Sequence, residues 1–146
     1  MAGRTCCTAI SLLLLTACHA APPASAEAGT DPGATAGVLA DPASGASCDG
    51  QDLRITRDHS RLVIEGECGD VTITASQGSL NLDRARTLHV EGDHFTVLNA
   101  QVREVHVSGN DNTLNLTDSG RIRIDGRGNT VLGTRIEGVT LGGNDN

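Results

Sequence analysis

Between Val71 and Leu141 the apolar residues come in pairs two positions apart, and the pairs recur at a fixed interval. Val105 and Val107 are followed, after a Gly/Asn turn, by Leu114 and Leu116; a single position, Ser119, precedes Ile122, where the pattern restarts. Matching sets are Val71/Ile73 with Leu80/Leu82, Leu88/Val90 with Val97/Asn99, and Ile122/Ile124 with Val131/Gly133. Alternation with period two predicts β-strands with one face buried. The isolated position also repeats, as Cys68, Ala85, Val102, Ser119 and Ile136, always 17 residues apart. Two paired sides and one single side per repeat predict an all-β protein, a single-stranded parallel β-helix (β-solenoid) of about 17 residues per coil. The expected coil is short and roughly triangular, and five to six coils fit the residues from Cys48 onward. Three or four residues per side bury little alone, so stacking at about 4.8 Å is what would complete both the hydrogen bonds and the lumen.

The phase is marked by Gly92, Gly109, Gly126 and Gly143, with weaker copies at Ala75 and, one residue out of step, Arg57. These glycines and the asparagines that follow them suit sharp turns, because both tolerate positive φ. Asn112, Asn129 and Asn146 share one register and are expected to bond amide to amide along the stack.

Upstream of the repeats the pattern vanishes. Residues 19–47 are rich in Ala, Pro, Gly, Ser, Thr and Asp and contain all 4 prolines, which predicts a disordered tether over 18–47 and a folded domain over 48–146. Before it, Arg4 and an apolar run through Leu12-Leu13-Leu14-Leu15 read as an export signal over 1–17, too short to span a bilayer. Leu15-Thr16-Ala17-Cys18 resembles the bacterial lipobox, which implies lipidation of Cys18; cleavage near Ala20 or Ala24-Ser25-Ala26 would instead release a soluble secreted protein. By resemblance to enterobacterial lipoprotein sorting, an aspartate in the place of His19 would imply retention in the inner membrane. The expected location is therefore the cell envelope, anchored in the outer membrane and facing the periplasm or the surface.

Of the 5 cysteines, Cys6 and Cys7 fall in the signal and Cys18 in the lipobox, leaving Cys48 and Cys68 as an expected disulfide that clasps the first coil. With 18 acidic and 11 basic residues, every base an arginine, and one Phe as the sole aromatic, neither counterion release nor base stacking favours nucleic acid. At the other end Asn146 lies in mid-turn, so an uncapped edge open to a partner or a second copy is expected, with end-to-end association through the C-terminal coil as one outcome.

Candidate chemistry is sparse. His89 and His106 share a register, but the ladder continues as Arg123 and Thr140 without a third ligand, so they are read as surface residues and no metal is expected. Leu141-Gly142-Gly143-Asn144-Asp145 looks superficially like the calcium-binding nonapeptide of RTX toxins. That family repeats every nine residues, and Arg127 and Gly128 interrupt the equivalent turn here. Arg84, Arg86 and Arg103 form the densest basic cluster, suited either to an acidic ligand or to cross-coil ion pairs of the kind suggested by Glu104 and Arg121. No nucleophile with a base, paired acids or lysine general base emerges, and no cofactor is expected.

The recurring stretches Val105-His-Val-Ser-Gly109-Asn-Asp-Asn-Thr113-Leu and Ile122-Arg-Ile-Asp-Gly126-Arg-Gly-Asn-Thr130-Val resemble the repeats of the bacterial family called domain of unknown function 3060. That resemblance spans about Cys48 to Asn146 and implies a β-solenoid and export, but no activity. The expected function is that of a non-enzymatic, membrane-anchored envelope lipoprotein whose solenoid is a structural or binding module for an envelope protein or glycan. The alternative is a carbohydrate-active or metal-binding β-helix acting on envelope or extracellular polysaccharide.

Overall fold

The computed structural model describes residues 37–146, and among them every regular element is a β-strand. The expected signal segment 1–17, Cys18 and the tether up to residue 36 lie outside the described residues. The strands are β1 (Val38–Ala40), β2 (Ala46–Ser47), β3 (Asp52–Ile55), β4 (Arg61–Ile73), β5 (Ser79–Val90), β6 (Thr96–Val107), β7 (Thr113–Ile124) and β8 (Thr130–Leu141). All pair in parallel within one sheet, in the order β1-β3-β4-β5-β6-β7-β8 with β2 beside β4, so that each coil stacks on the one before. The result is a β-solenoid of about 6 turns with about 17 residues per coil.

The inward ladders follow the alternation read from the chain. Leu53, Val71, Leu88, Val105 and Ile122 stack in register and are all buried, as are Ile55, Ile73, Val90, Val107 and Ile124. The single side runs Cys68, Ala85, Val102, Ser119 and Ile136, and its first four members are buried. At one expected inward position the register is irregular. A register irregularity between Leu98 and Ala100 pairs Ala100, not Asn99, with Leu116, and Ala100 is fully buried. The irregularity puts an apolar residue where strict period two would have put an amide.

The copy that runs one residue out of step at Arg57 has a local cause. Leu53 pairs with Val71 and Ile64 with Leu82, both 18 apart, whereas Glu67 pairs with Arg84, 17 apart; the register shifts between Ile64 and Glu67. Gly66 sits in this bulge with φ of 83°, a conformation open to glycine, and its N–H donates to Asp83 Oδ2 at 3.1 Å.

The solenoid begins earlier than the composition suggests. Val38–Ala40 pairs with Asp52–Arg54 and Ala46–Ser47 with Ile64–Glu65, so residues 38–47 form the first coil and are not tether. Pro42 falls in the connection between β1 and β2, outside either strand, where its missing N–H costs no ladder bond. Asp41, at φ of 42°, closes that connection: its carboxylate accepts from the Thr56 N–H at 2.7 Å, the Thr56 hydroxyl at 2.6 Å and the Arg57 N–H at 3.2 Å.

Candidate functional site

The turn residues that mark the repeat are structural, but not by the expected route. None of Gly92, Gly109, Gly126 and Gly143 has a positive φ. A Cβ added at Gly109 would lie 1.9 Å from the Gly92 carbonyl oxygen, and one at Gly126 would lie 1.8 Å from that of Gly109; the coils approach too closely here for any side chain. The left-handed position is instead two residues further on, at Gln77, His94, Asp111, Gly128 and Asp145, once per coil. His94 and Asp111 are residue types that tolerate it.

The asparagine ladder bonds to backbone, not amide to amide. Asn112 Oδ1 accepts from the Phe95 N–H at 2.7 Å, and its Nδ2 donates to the Gly92 carbonyl at 2.9 Å. Asn129 repeats this against Asn112 and Gly109, and Asn146 against Asn129 and Gly126. Each side chain thereby satisfies one donor and one acceptor of the preceding coil, which stacking of identical amides would leave unpaired. Phe95 occupies the Asn register one coil earlier and is fully buried; Gly78 beneath it is the accommodation, since a Cβ there would meet Phe95 Cε2 at 2.4 Å. Nothing in the repeat pattern singled out Phe95. Its being the chain's one aromatic, at an Asn position, was the available signal.

Cys48 and Cys68 form the expected disulfide, with Cα atoms 4.9 Å apart and both residues buried. Backbone bonds flank it on either side, from the Cys48 N–H to Glu65 and from the Gly50 N–H to Glu67.

His89 and His106 are adjacent, with ring centroids 5.9 Å apart in an edge-on arrangement. His106 Nε2 lies 2.8 Å from Asp125 Oδ2, which also accepts from Arg123 Nε at 2.7 Å. The hydrogen bond from Arg123, and after it that from His106, holds the Asp125 carboxyl below its ordinary value. Among the described residues no three His, Cys, Asp or Glu side chains converge to hold a metal ion.

The basic cluster lies on the single side of the coil, where β4 to β8 line an open, charged groove. One ladder across it reads Glu67, Arg84, Gln101, Asp118, Arg135, and another Asp70, Thr87, Glu104, Arg121, Gly138. The three arginines differ in what they do. Arg86 is committed, with Nη2 and Nε both 3.0 Å from Asp70 Oδ1. Burial pushes the Asp70 carboxyl up, but hydrogen bonds from Thr87 and Arg86 and the Arg86 charge outweigh it and leave the group below its ordinary value. Arg121 approaches Glu104 at 4.0 Å, and Arg135 Nη1 meets Asp118 Oδ2 at 3.0 Å, so the cross-coil pairing expected of this face is present. Arg84 and Arg103 are exposed and have no ion-pair partner among the described residues. The groove therefore offers two uncommitted guanidinium groups on a rigid backbone, each with a fork of donors suited to carboxylate or phosphate.

No curated protein and no solved structure matches the chain. Residues 107–146, the last two coils, match the family described as "Protein of unknown function (DUF3060)", and the family to which the repeats point is the family found there.

Proposed function

We propose that the protein is a non-enzymatic envelope lipoprotein, anchored through Cys18, whose solenoid presents the charged groove to an envelope protein or glycan. One observation carries this reading: Arg84 and Arg103 are exposed and uncommitted on a face whose other arginines are tied to acids, while the turn asparagines are spent in bonds between coils. A side chain already paired loses that pairing when it binds something else; an unpaired guanidinium on a fixed strand does not. The tether of Ala, Pro and Gly after Cys18 would give the module reach from the membrane surface.

The test is a pull-down from envelope extracts and a glycan array with the wild-type chain and the Arg84→Ala/Arg103→Ala variant. Specific capture that falls at least tenfold in the variant is expected, whereas Arg123→Ala on another side should leave it unchanged. Equal capture by all three would remove the groove from the account. Hydrolysis of an envelope polysaccharide, or a stoichiometric metal in the purified protein, would replace this reading with that of a carbohydrate-active or metal-binding β-helix. Anchoring is tested separately: Cys18→Ser should abolish incorporation of a labelled fatty acid and release the protein from membranes.

A further inference from the structure

Among the described residues β8 is paired on one side only, by β7, and it exposes what the other coils bury. Val139 and Leu141 are 51% and 55% exposed, whereas Ile122 and Ile124, directly beneath them in register, are each 2% exposed. The row of backbone donors and acceptors along this edge is likewise unpaired, a template for another strand.

The inward residues of β8 are Val131, Gly133, Ile136, Val139 and Leu141, as their register with Leu114, Leu116, Ser119, Ile122 and Ile124 defines. They are symmetric about Ile136. Opposite members of an antiparallel pair project to the same face of a sheet. A second β8 running antiparallel about Ile136 would therefore set Val131 against Leu141 of the partner subunit, and Gly133 against Val139 of the partner subunit. All apolar residues then stay in the lumen.

The charges select this arrangement. Immediately flanking Ile136 are Arg135 and Glu137, and the two-fold sets each Arg135 against Glu137 of the partner subunit, twice over. No earlier coil has this property: the equivalent flanking pairs are Glu67/Gly69, Arg84/Arg86, Gln101/Arg103 and Asp118/Gly120, none of which joins opposite charges. Arg135 already holds Asp118 through Nη1, and its remaining donors are free for a second carboxylate. Head-to-tail stacking lacks a matching edge, since β1 and β2 offer 3 and 2 residues against the 12 of β8.

We propose that β8 is a homodimer interface, in which a second copy pairs antiparallel about Ile136 with reciprocal Arg135–Glu137 contacts. The isologous geometry closes after two copies. Because Ile136 lies on the single side of the coil, the two charged grooves join into one continuous face.

The experiment is sedimentation of the full chain in nonionic detergent over a range of concentrations, with circular dichroism to verify folding. The wild type should dimerise and form nothing larger. Arg135→Glu and Glu137→Arg each turn both contacts into like-charge pairs and should each weaken dimerisation about tenfold or more at low salt, with the gap narrowing at high salt. The double variant Arg135→Glu/Glu137→Arg should recover the wild-type value. Mixing the two single variants should also produce a heterodimer, since each charge then meets its opposite. A monomeric wild type, a ladder of higher oligomers, single variants that dimerise normally, or a mixture that fails to associate would each overturn the proposal.

Discussion

The two ends of the solenoid handle the same problem differently. At the N-terminal end the irregular first coil is closed by covalent and polar devices: the Cys48–Cys68 disulfide and the Asp41 carboxylate, which gathers three donors from Thr56 and Arg57. At the β8 end no disulfide is present among the described residues; Asn146 ties the last turn to Asn129 and Gly126, yet Val139 and Leu141 stand half exposed one register step above isoleucines that are almost wholly buried. A lumen residue is thus buried chiefly by the next coil and only partly by its own, as expected when each repeat contacts only its neighbours. Stability should accordingly depend on where in the stack a change falls, even when the local chemistry is identical.

The glycine ladder carries the largest expected difference between interior and edge. Gly109→Ala would place a Cβ 1.9 Å from the Gly92 carbonyl oxygen between two coils that both have further neighbours. We expect a loss on the order of 4 kcal/mol in urea denaturation. Gly143→Ala creates the same clash, 1.8 Å from the Gly126 oxygen, but β8 is free to lift at its open edge, so about 1 to 2 kcal/mol is expected. Equal losses would mean that the last coil is held as firmly as the interior. Next in size is the clasp. Cys48→Ala/Cys68→Ala removes a crosslink between residues 20 apart and should cost about 3 kcal/mol in the same measurement. Hydrogen exchange should then quicken in β1 to β3 before it changes in β6 or β7.

These predictions rest on features that the chain disclosed unequally. The inward ladders and the disulfide were legible because periodic burial leaves a periodic apolar pattern and because few cysteines remained to pair. The reason for the glycines was not, since close approach and positive φ select the same residue. Gln77, His94 and Asp111 carry the left-handed turn instead, and no composition rule points to all of them. The first coil was hidden because Val38–Ala40 and Ala46–Ser47 are too short to show alternation amid Pro42, Ser44 and Gly45. At the groove the arginine ladder could be read from the 17-residue register. Which arginine was committed could not, because Arg86 reaches diagonally to Asp70, 16 residues away, and not to a register neighbour.

A smaller test separates the amide ladder by position. Asn112→Ala leaves the Phe95 N–H and the Gly92 carbonyl without their partner inside the stack, and should destabilise by about 2 kcal/mol. Asn146→Ala removes the equivalent bonds to Asn129 and Gly126 at a site open to water, where about 0.5 to 1 kcal/mol is expected. If the bonds were amide to amide, Asn112→Ala would disturb Asn129 most. Protection lost at the Phe95 amide in hydrogen exchange distinguishes the two.

The smallest effect is one of pH, and it returns to the N-terminal end. The Thr56 hydroxyl, followed by the Thr56 and Arg57 backbone, holds the Asp41 carboxyl below its ordinary value of 3.8. A carboxyl that binds protons less readily in the folded chain than in the unfolded one contributes stability above its unfolded pKa, and that contribution is lost as pH falls through the folded value. Asp41→Asn should therefore lower the denaturation midpoint near neutrality and converge with the wild type in acid below 3.8. Asp125, lowered chiefly by Arg123, should follow the same sign in the coil next to the last. Because Asp41 supports the first coil, its acid loss should appear in hydrogen exchange as fraying of β1 and the Thr56 turn while β6 and β7 stay protected. A uniform loss along the stack would mean that the first coil is not an independent unit of opening, and that the clasped end is no weaker than the interior it covers.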